Sequence, residues 1–224
     1  MRAVLFDFDG VLVNSEPLHF GALRDALGRE GIVIDEAEYL STYLAHDDRG
    51  SIRLALERHG VPHDRARVEA IALRKAEDFA ALLPTVPFFP GAKELVRALA
   101  EEVPVAIASG ALHAEIDAIL RAGGIRDAFS AIVGADDVTR GKPHPEPYLT
   151  AMAAVNGHQD DLTPADCLVF EDAMPGIAAA RAAGMIVVAV TNSYPAERLR
   201  AAQRIVATLE GLTPALLRQE LFPD

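Results

Sequence analysis

Six near-continuous apolar runs constrain this chain more than any other feature: AVLFD (3–7), VPVAIAS (103–109), AIVGA (131–135), CLVFE (167–171), IVVAV (186–190) and RIVATL (204–209). A strand with one wet face alternates apolar and polar residues, whereas an unbroken apolar run fits a strand covered on both faces, as in a parallel sheet. Helical patterns separate the runs: KELVRALAEE (93–102), ALHAEIDAILRAGG (111–124) and PGIAAARAAGM (175–185). The last two stop at or near glycine, a usual helix end. Strand–helix alternation of this kind predicts an α/β fold with a doubly wound, Rossmann-like parallel sheet.

One segment breaks the alternation. From Ser15 to Leu83 there is no strand pattern, and residues 17–28, 36–45, 50–59 and 65–82 read as helices. The chain is therefore expected to hold a core of residues 1–14 and 84–224 with a helical domain, 15–83, inserted after the first strand. The loop PTVPFFPG (84–91) leads back to the α/β pattern. Open α/β sheets bind ligands at the carboxyl ends of their strands. An insert that leaves and re-enters there is placed to act as a lid.

The 224 residues are half hydrophobic, enough for a sizeable core. No stretch approaches the roughly 18 apolar residues of a membrane span, and the acid at Asp7 argues against a signal peptide. The single cysteine, Cys167, lies in an apolar run and suits a reducing cytoplasm. A net charge of −12 without a basic run disfavours nucleic acid and suits small substrates and divalent cations. The expected state is a monomer or weak homodimer.

Each strand end carries a chemically distinctive group. Asp7 and Asp9 follow the first run, Ser109 and Gly110 the second, Lys142 lies in GKPHPEPY after the third, and Glu171 and Asp172 end the fourth. Four carboxylates without cysteine or clustered histidine make a Mg²⁺ type of site, not a Zn²⁺ site. Ser109 with the first amides of the helix after it forms a phosphate seat, and Lys142 adds a point charge. A carboxylate beside Mg²⁺ and a phosphate can attack phosphorus, and a second can move a proton.

These motifs resemble those of the haloacid dehalogenase superfamily of phosphotransferases. DFDGV is similar to its first motif, ASG to its second, GKPHPEPY to its third and FEDAMPG to its fourth, in order over essentially the whole chain. The resemblance implies Asp7 as nucleophile, Asp9 as general acid/base, and Ser109 and Lys142 as phosphate ligands. It implies Mg²⁺ held by the Asp7 carboxylate, the Asp9 carbonyl and Asp172, with Glu171 assisting. The helical insert is similar to the cap of the subgroup that includes phosphoglycolate phosphatase and β-phosphoglucomutase. The dehalogenase branch is disfavoured, because its members lack an acid two residues after the nucleophile.

Three insert residues have two readings each. His19 shares the apolar stripe of Ala22, Leu23 and Ala26, so it is either a packed histidine or a cleft group. Lys75 sits mid-stripe among Val68, Ile71, Ala72 and Phe79, either snorkelling or reaching a substrate anion. Both stretches are similar to substrate-handling segments of the mutase. Arg49, in HDDRGS (46–51) with Asp47 and Asp48, either faces substrate or belongs to a solvated turn. His144 is expected to fix the Lys142 loop.

The leading expectation is a Mg²⁺-dependent phosphatase acting on a small phosphorylated metabolite, a sugar phosphate or phospho-acid. A phosphomutase is the alternative; against it, ASGALHAE (108–115) lacks the lysine that the mutase pattern carries there. A phospho-accepting signalling module is disfavoured by the DxD pair and by the insert.

Overall fold

The computed structural model describes residues 1–44, 46–157 and 161–223. The chain divides into two compact units, Met1–Asn14 with Pro87–Asp224, and Ser15–Val86.

The first unit is built on six parallel strands: β1 (Ala3–Phe6), β2 (Val105–Ala108), β3 (Ala131–Val133), β4 (Cys167–Glu171), β5 (Ile186–Val190) and β6 (Arg204–Val206). Their order is β3-β2-β1-β4-β5-β6. Every residue of β1, β2 and β4 is buried, which is why their sequences run apolar without alternation. Phe6 of β1 stacks on Phe170 of β4 with ring centroids 4.8 Å apart. Burying such a side chain contributes about 1.5–3 kcal/mol. The strand order turns back between β1 and β4, and in such sheets the crevice at that reversal is where ligands bind.

Nine α-helices occur among the described residues: α1 (Glu16–Gly28), α2 (Glu36–Glu38), α3 (Asp48–Arg58), α4 (Arg65–Leu82), α5 (Ala92–Ala100), α6 (His113–Gly123), α7 (Glu146–Asn156), α8 (Met174–Ala182) and α9 (Pro214–Leu221). The first four belong to the helical unit. There the buried faces of α1, α3 and α4 share one core of Leu23, Leu27, Ile52, Leu56, Ile71 and their neighbours. Asp47 and Asp64 start α3 and α4 by accepting the amides of Gly50 and Arg67 at 2.8 Å. The turn Leu83–Thr85 follows α4 directly and stays with this unit.

Two elements depart furthest from the sequence reading. The helix expected over 36–45 is one short turn, α2, followed by a π-helix, Tyr39–Tyr43; Ala45 lies outside the described residues. The π-turn widens where two buried tyrosines are held, Tyr39 by Glu16 and Tyr43 by Glu38. The second departure is α7, which begins inside the proline-rich stretch read as a loop. Pro147 falls in its first turn, where a missing N–H costs nothing.

Candidate active site

β1 hands the chain to a tight turn. Asp7 N–H donates to the Phe170 carbonyl at 2.9 Å, which ties the end of β1 to β4. Leu12 and Val13 amides then both return to the Phe8 carbonyl at 2.9 and 3.2 Å. The turn therefore presents Asp7 and Asp9 at the carboxyl edge of the sheet. Gly10 in this turn has φ +78°, and a Cβ there would lie 1.9 Å from Asp172 Oδ2. Only glycine allows the DFDG turn and the Asp172 carboxylate to come so close.

Lys142 joins the strand ends. Its Nζ donates to Asp7 Oδ1 at 2.7 Å and to Glu171 Oε1 at 2.6 Å. The ammonium also lies 4.8 Å from the centroid of the Tyr148 ring. Tyr148, fully buried on α7, donates its hydroxyl to Glu171 Oε1 at 2.7 Å. The amides of Asp172 and Ala173 donate to Glu171 Oε2 at 3.0 and 3.2 Å. Four donors thus fill the lone-pair positions of one carboxylate. A Cβ at Gly176, on the first turn of α8, would fall 1.6 Å from Glu171 Oε1. Glu171 is a brace that holds Lys142 and the turn after β4.

Asp172 is oriented from a third direction. Ser193, in the loop after β5, donates its hydroxyl to Asp172 Oδ2. The adjacent Asn192 donates to the Gly10 carbonyl at 2.8 Å. No strand-end motif of the sequence singles out Asn192, Ser193 or Tyr148. The one available signal was that TNS (191–193) ends a fifth buried strand at the same edge of the sheet.

Ser109 is buried at the end of β2, beside β1 in the sheet. Its Oγ accepts the Ala111 amide at 3.0 Å. Gly110 is exposed, and a side chain there would meet open space. The helix after this turn starts later than its sequence suggests, at His113, and the His113 amide donates to Asp136 at 2.9 Å. Ser109 therefore shapes the turn before α6 and does not cap the helix itself. His144 accepts the Glu146 amide at 3.2 Å and fixes the end of the Lys142 loop.

The electrostatics of the cluster are unbalanced. Asp7, Glu171 and Asp172 each offer an oxygen within 4.8 Å of the others. Burial, reinforced by Glu171 and Asp172, pushes the Asp7 carboxyl well above the ordinary range against the pull of Lys142. Burial likewise pushes Asp172 up to about 6. Burial pulls the Lys142 ammonium down, but Asp7 and Glu171 together outweigh it and hold it above its ordinary value. One ammonium does not neutralise three carboxylates in a low-dielectric pocket. This all-oxygen set fits a hard divalent cation, with Asp7 and Asp172 as the carboxylates that four donors have not already filled.

A second polar group lies in the helical unit. Lys75, 2 % exposed, donates to Asp48 Oδ1 at 2.6 Å and lies 3.2 Å from His19 Nδ1. Nδ1 facing an ammonium must be the acceptor, so His19 carries its proton on Nε2. Burial and the Lys75 charge lower the His19 pKa to about 4. Its ring stacks on Phe79 at 4.0 Å. Arg49 is exposed and forks onto Glu69 with bonds of 2.6 and 2.7 Å.

A family model for haloacid dehalogenase-like hydrolases matches residues 1–184. The chain is 32% identical over 226 residues to β-phosphoglucomutase of Bacillus subtilis (strain 168), covering 98% of this chain and 95% of the relative. It is 33% identical over 188 residues to a fructose-1-phosphate phosphatase of Escherichia coli (strain K12), covering 81% and 92%. A HAD family hydrolase from Deinococcus radiodurans R1, solved with phosphate and sodium bound, superposes with a TM-score of 0.77 at 29% identity, covering 100% of this chain and 99% of that one. No helix among the described residues is long and apolar enough to cross a membrane. With its six-stranded Rossmann-like sheet and the matched motifs at its strand ends, the chain is an enzyme of the haloacid dehalogenase-like hydrolase family.

Proposed function

We propose that the protein is a Mg²⁺-dependent phosphatase that hydrolyses a small phosphorylated metabolite through an aspartyl-phosphate on Asp7. The observation that carries this reading is the Lys142 ammonium shared between Asp7 and Glu171 beside Asp172. Asp7, Asp172 and the Asp9 carbonyl would hold Mg²⁺, braced by Glu171. Bound there, the ion would offset the carboxylate charge and act as a Lewis acid on a phosphoryl oxygen.

The chain's own groups supply the rest. An Asp7 oxygen attacks phosphorus as the bond to the leaving oxygen breaks, and Asp9 gives that oxygen a proton. Water then attacks the phosphorus of the aspartyl-phosphate and yields a proton to Asp9. Inorganic phosphate leaves and Asp7 is regenerated. Lys142 and the turn at Ser109 and Gly110 hold the phosphoryl oxygens throughout. The helical unit selects the substrate.

A phosphomutase is the second reading, favoured by the Lys75–His19 pair and by the near full-length likeness to β-phosphoglucomutase. Against it, the only basic side chain soon after Ser109 is His113, which is paired with Asp137 at 2.8 Å. A screen of phosphorylated metabolites for phosphate release, run beside an assay for glucose 1-phosphate isomerisation, separates the two. Phosphate release without isomerisation supports the phosphatase. Isomerisation without net release replaces it with the mutase.

A further inference from the structure

The Lys142 ammonium stands on a flexible four-carbon stem in the loop between β3 and α7. Its place is therefore set by what surrounds Nζ, and Tyr148 meets it in two ways. The centroid of the tyrosine ring lies 4.8 Å from Nζ. The hydroxyl donates at 2.7 Å to Glu171 Oε1, the same oxygen that accepts Nζ at 2.6 Å. Tyr148 has the fixed mount that Lys142 lacks: it is wholly buried on α7, in one core with Leu5 of β1, Ala106 of β2 and Val169 of β4.

The shared oxygen has a consequence for Lys142. Glu171 Oε2 is filled by the amides of Asp172 and Ala173, so the ammonium and the phenol divide Oε1 between them. Glu171 and a phosphoryl group at Asp7 would compete for one ammonium. A phenol donating to Oε1 takes up part of the charge on that oxygen and loosens its hold on Lys142, in a buried setting where such pulls are strong. Without the hydroxyl, Lys142 would be the sole donor to Oε1, and Nζ would settle toward Glu171 and away from Asp7. No water could stand in for the lost donor. Glu171 is 1 % exposed, and a Cβ at Gly176 would already fall 1.6 Å from Oε1, so removing one hydroxyl leaves too little room.

We propose that Tyr148 is a positioning residue: by sharing Glu171 Oε1 it keeps the Lys142 ammonium available to the phosphoryl group at Asp7. The assignment rests on the phosphatase reading and deepens it by adding a group that acts through Lys142 without touching substrate.

The test compares wild type with Tyr148→Phe, which keeps the ring and its packing and removes only the hydroxyl. Two quantities are read in saturating Mg²⁺: the kinetics of p-nitrophenyl phosphate hydrolysis, and the calorimetric Kd for inorganic phosphate. Lys142 holds phosphoryl oxygens in the ground state and the transition state alike, so the loss should fall on binding. KM and the phosphate Kd should each rise about fivefold, with kcat within about twofold of wild type. A merely structural hydroxyl would instead lower Tm and the active fraction, which reduces kcat and leaves KM where it was. KM and phosphate Kd both within about twofold of wild type overturn the proposal. So does a Tyr148→Phe chain that does not fold, because that assigns the hydroxyl to stability. If the two quantities disagree, the phosphate Kd decides. A wild type that leaves p-nitrophenyl phosphate intact defeats the phosphatase reading, and the phosphate Kd then decides Tyr148 by itself: weaker binding in the variant sustains the assignment, and equal or absent binding in both chains removes it.

Discussion

Lys142 Nζ donates to Asp7 Oδ1 at 2.7 Å, although 135 positions separate the two in sequence. Glu171 and Tyr148 hold the lysine there from the far side. Lys142→Met removes the one cation among three carboxylates. Removing one partner of such a buried pair costs about 3 kcal/mol, less where Asp7 takes up a proton instead. Urea unfolding at pH 7 should show that loss without Mg²⁺ and a smaller one with it. Equal losses under both conditions would separate Lys142 from the proposed cation site.

Ser193→Ala tests the loop after β5. Ser193 donates to Asp172 from outside the strand-end motifs. Outer partners of metal ligands typically set affinity by 10–100-fold. The Mg²⁺ concentration for half-maximal activity should rise about tenfold, with Tm nearly unchanged. An unchanged Mg²⁺ requirement would show that Asp172 needs no help from this hydroxyl.

Most of the strands are legible in the sequence because burial on both faces leaves unbroken apolar runs; Asp7, Glu171 and Asp172 are legible because each stands where such a run meets polar sequence, and Lys142 because it sits in the proline-rich stretch after the third run. Tyr148 is not. It sits in a helix whose start is masked by Pro145 and Pro147, and its burial depends on β1 and β2 packing over it. Ser193 and Asn192 read as ordinary loop residues until the parallel pairing of β5 with β4 brings them beside Asp172 and Gly10. The pairing of Arg49 with Glu69 is hidden for the same reason: only the packing of α3 on α4 brings positions 20 apart together.

Acid should weaken the protein through His19. Folded His19 takes a proton only near pH 4, whereas an unfolded histidine takes one at about 6.5. Between those values the unfolded chain binds more protons, so stability falls as pH falls. The contribution is complete above about pH 6.5. Melting curves of wild type and His19→Gln from pH 8 to 4 should run parallel at the alkaline end, with wild type falling more steeply across the acid window. Parallel curves throughout would assign the acid sensitivity to other groups.

The most direct test of the proposed function is p-nitrophenyl phosphate hydrolysis by Asp7→Asn in saturating Mg²⁺, beside wild type with and without EDTA. The amide keeps the side chain's shape and removes the nucleophilic oxygen. The account predicts Mg²⁺-dependent turnover for wild type, silence in EDTA, and at least about a thousandfold loss in a variant whose circular dichroism is unchanged. Turnover by a folded Asp7→Asn enzyme near the wild-type rate would contradict it.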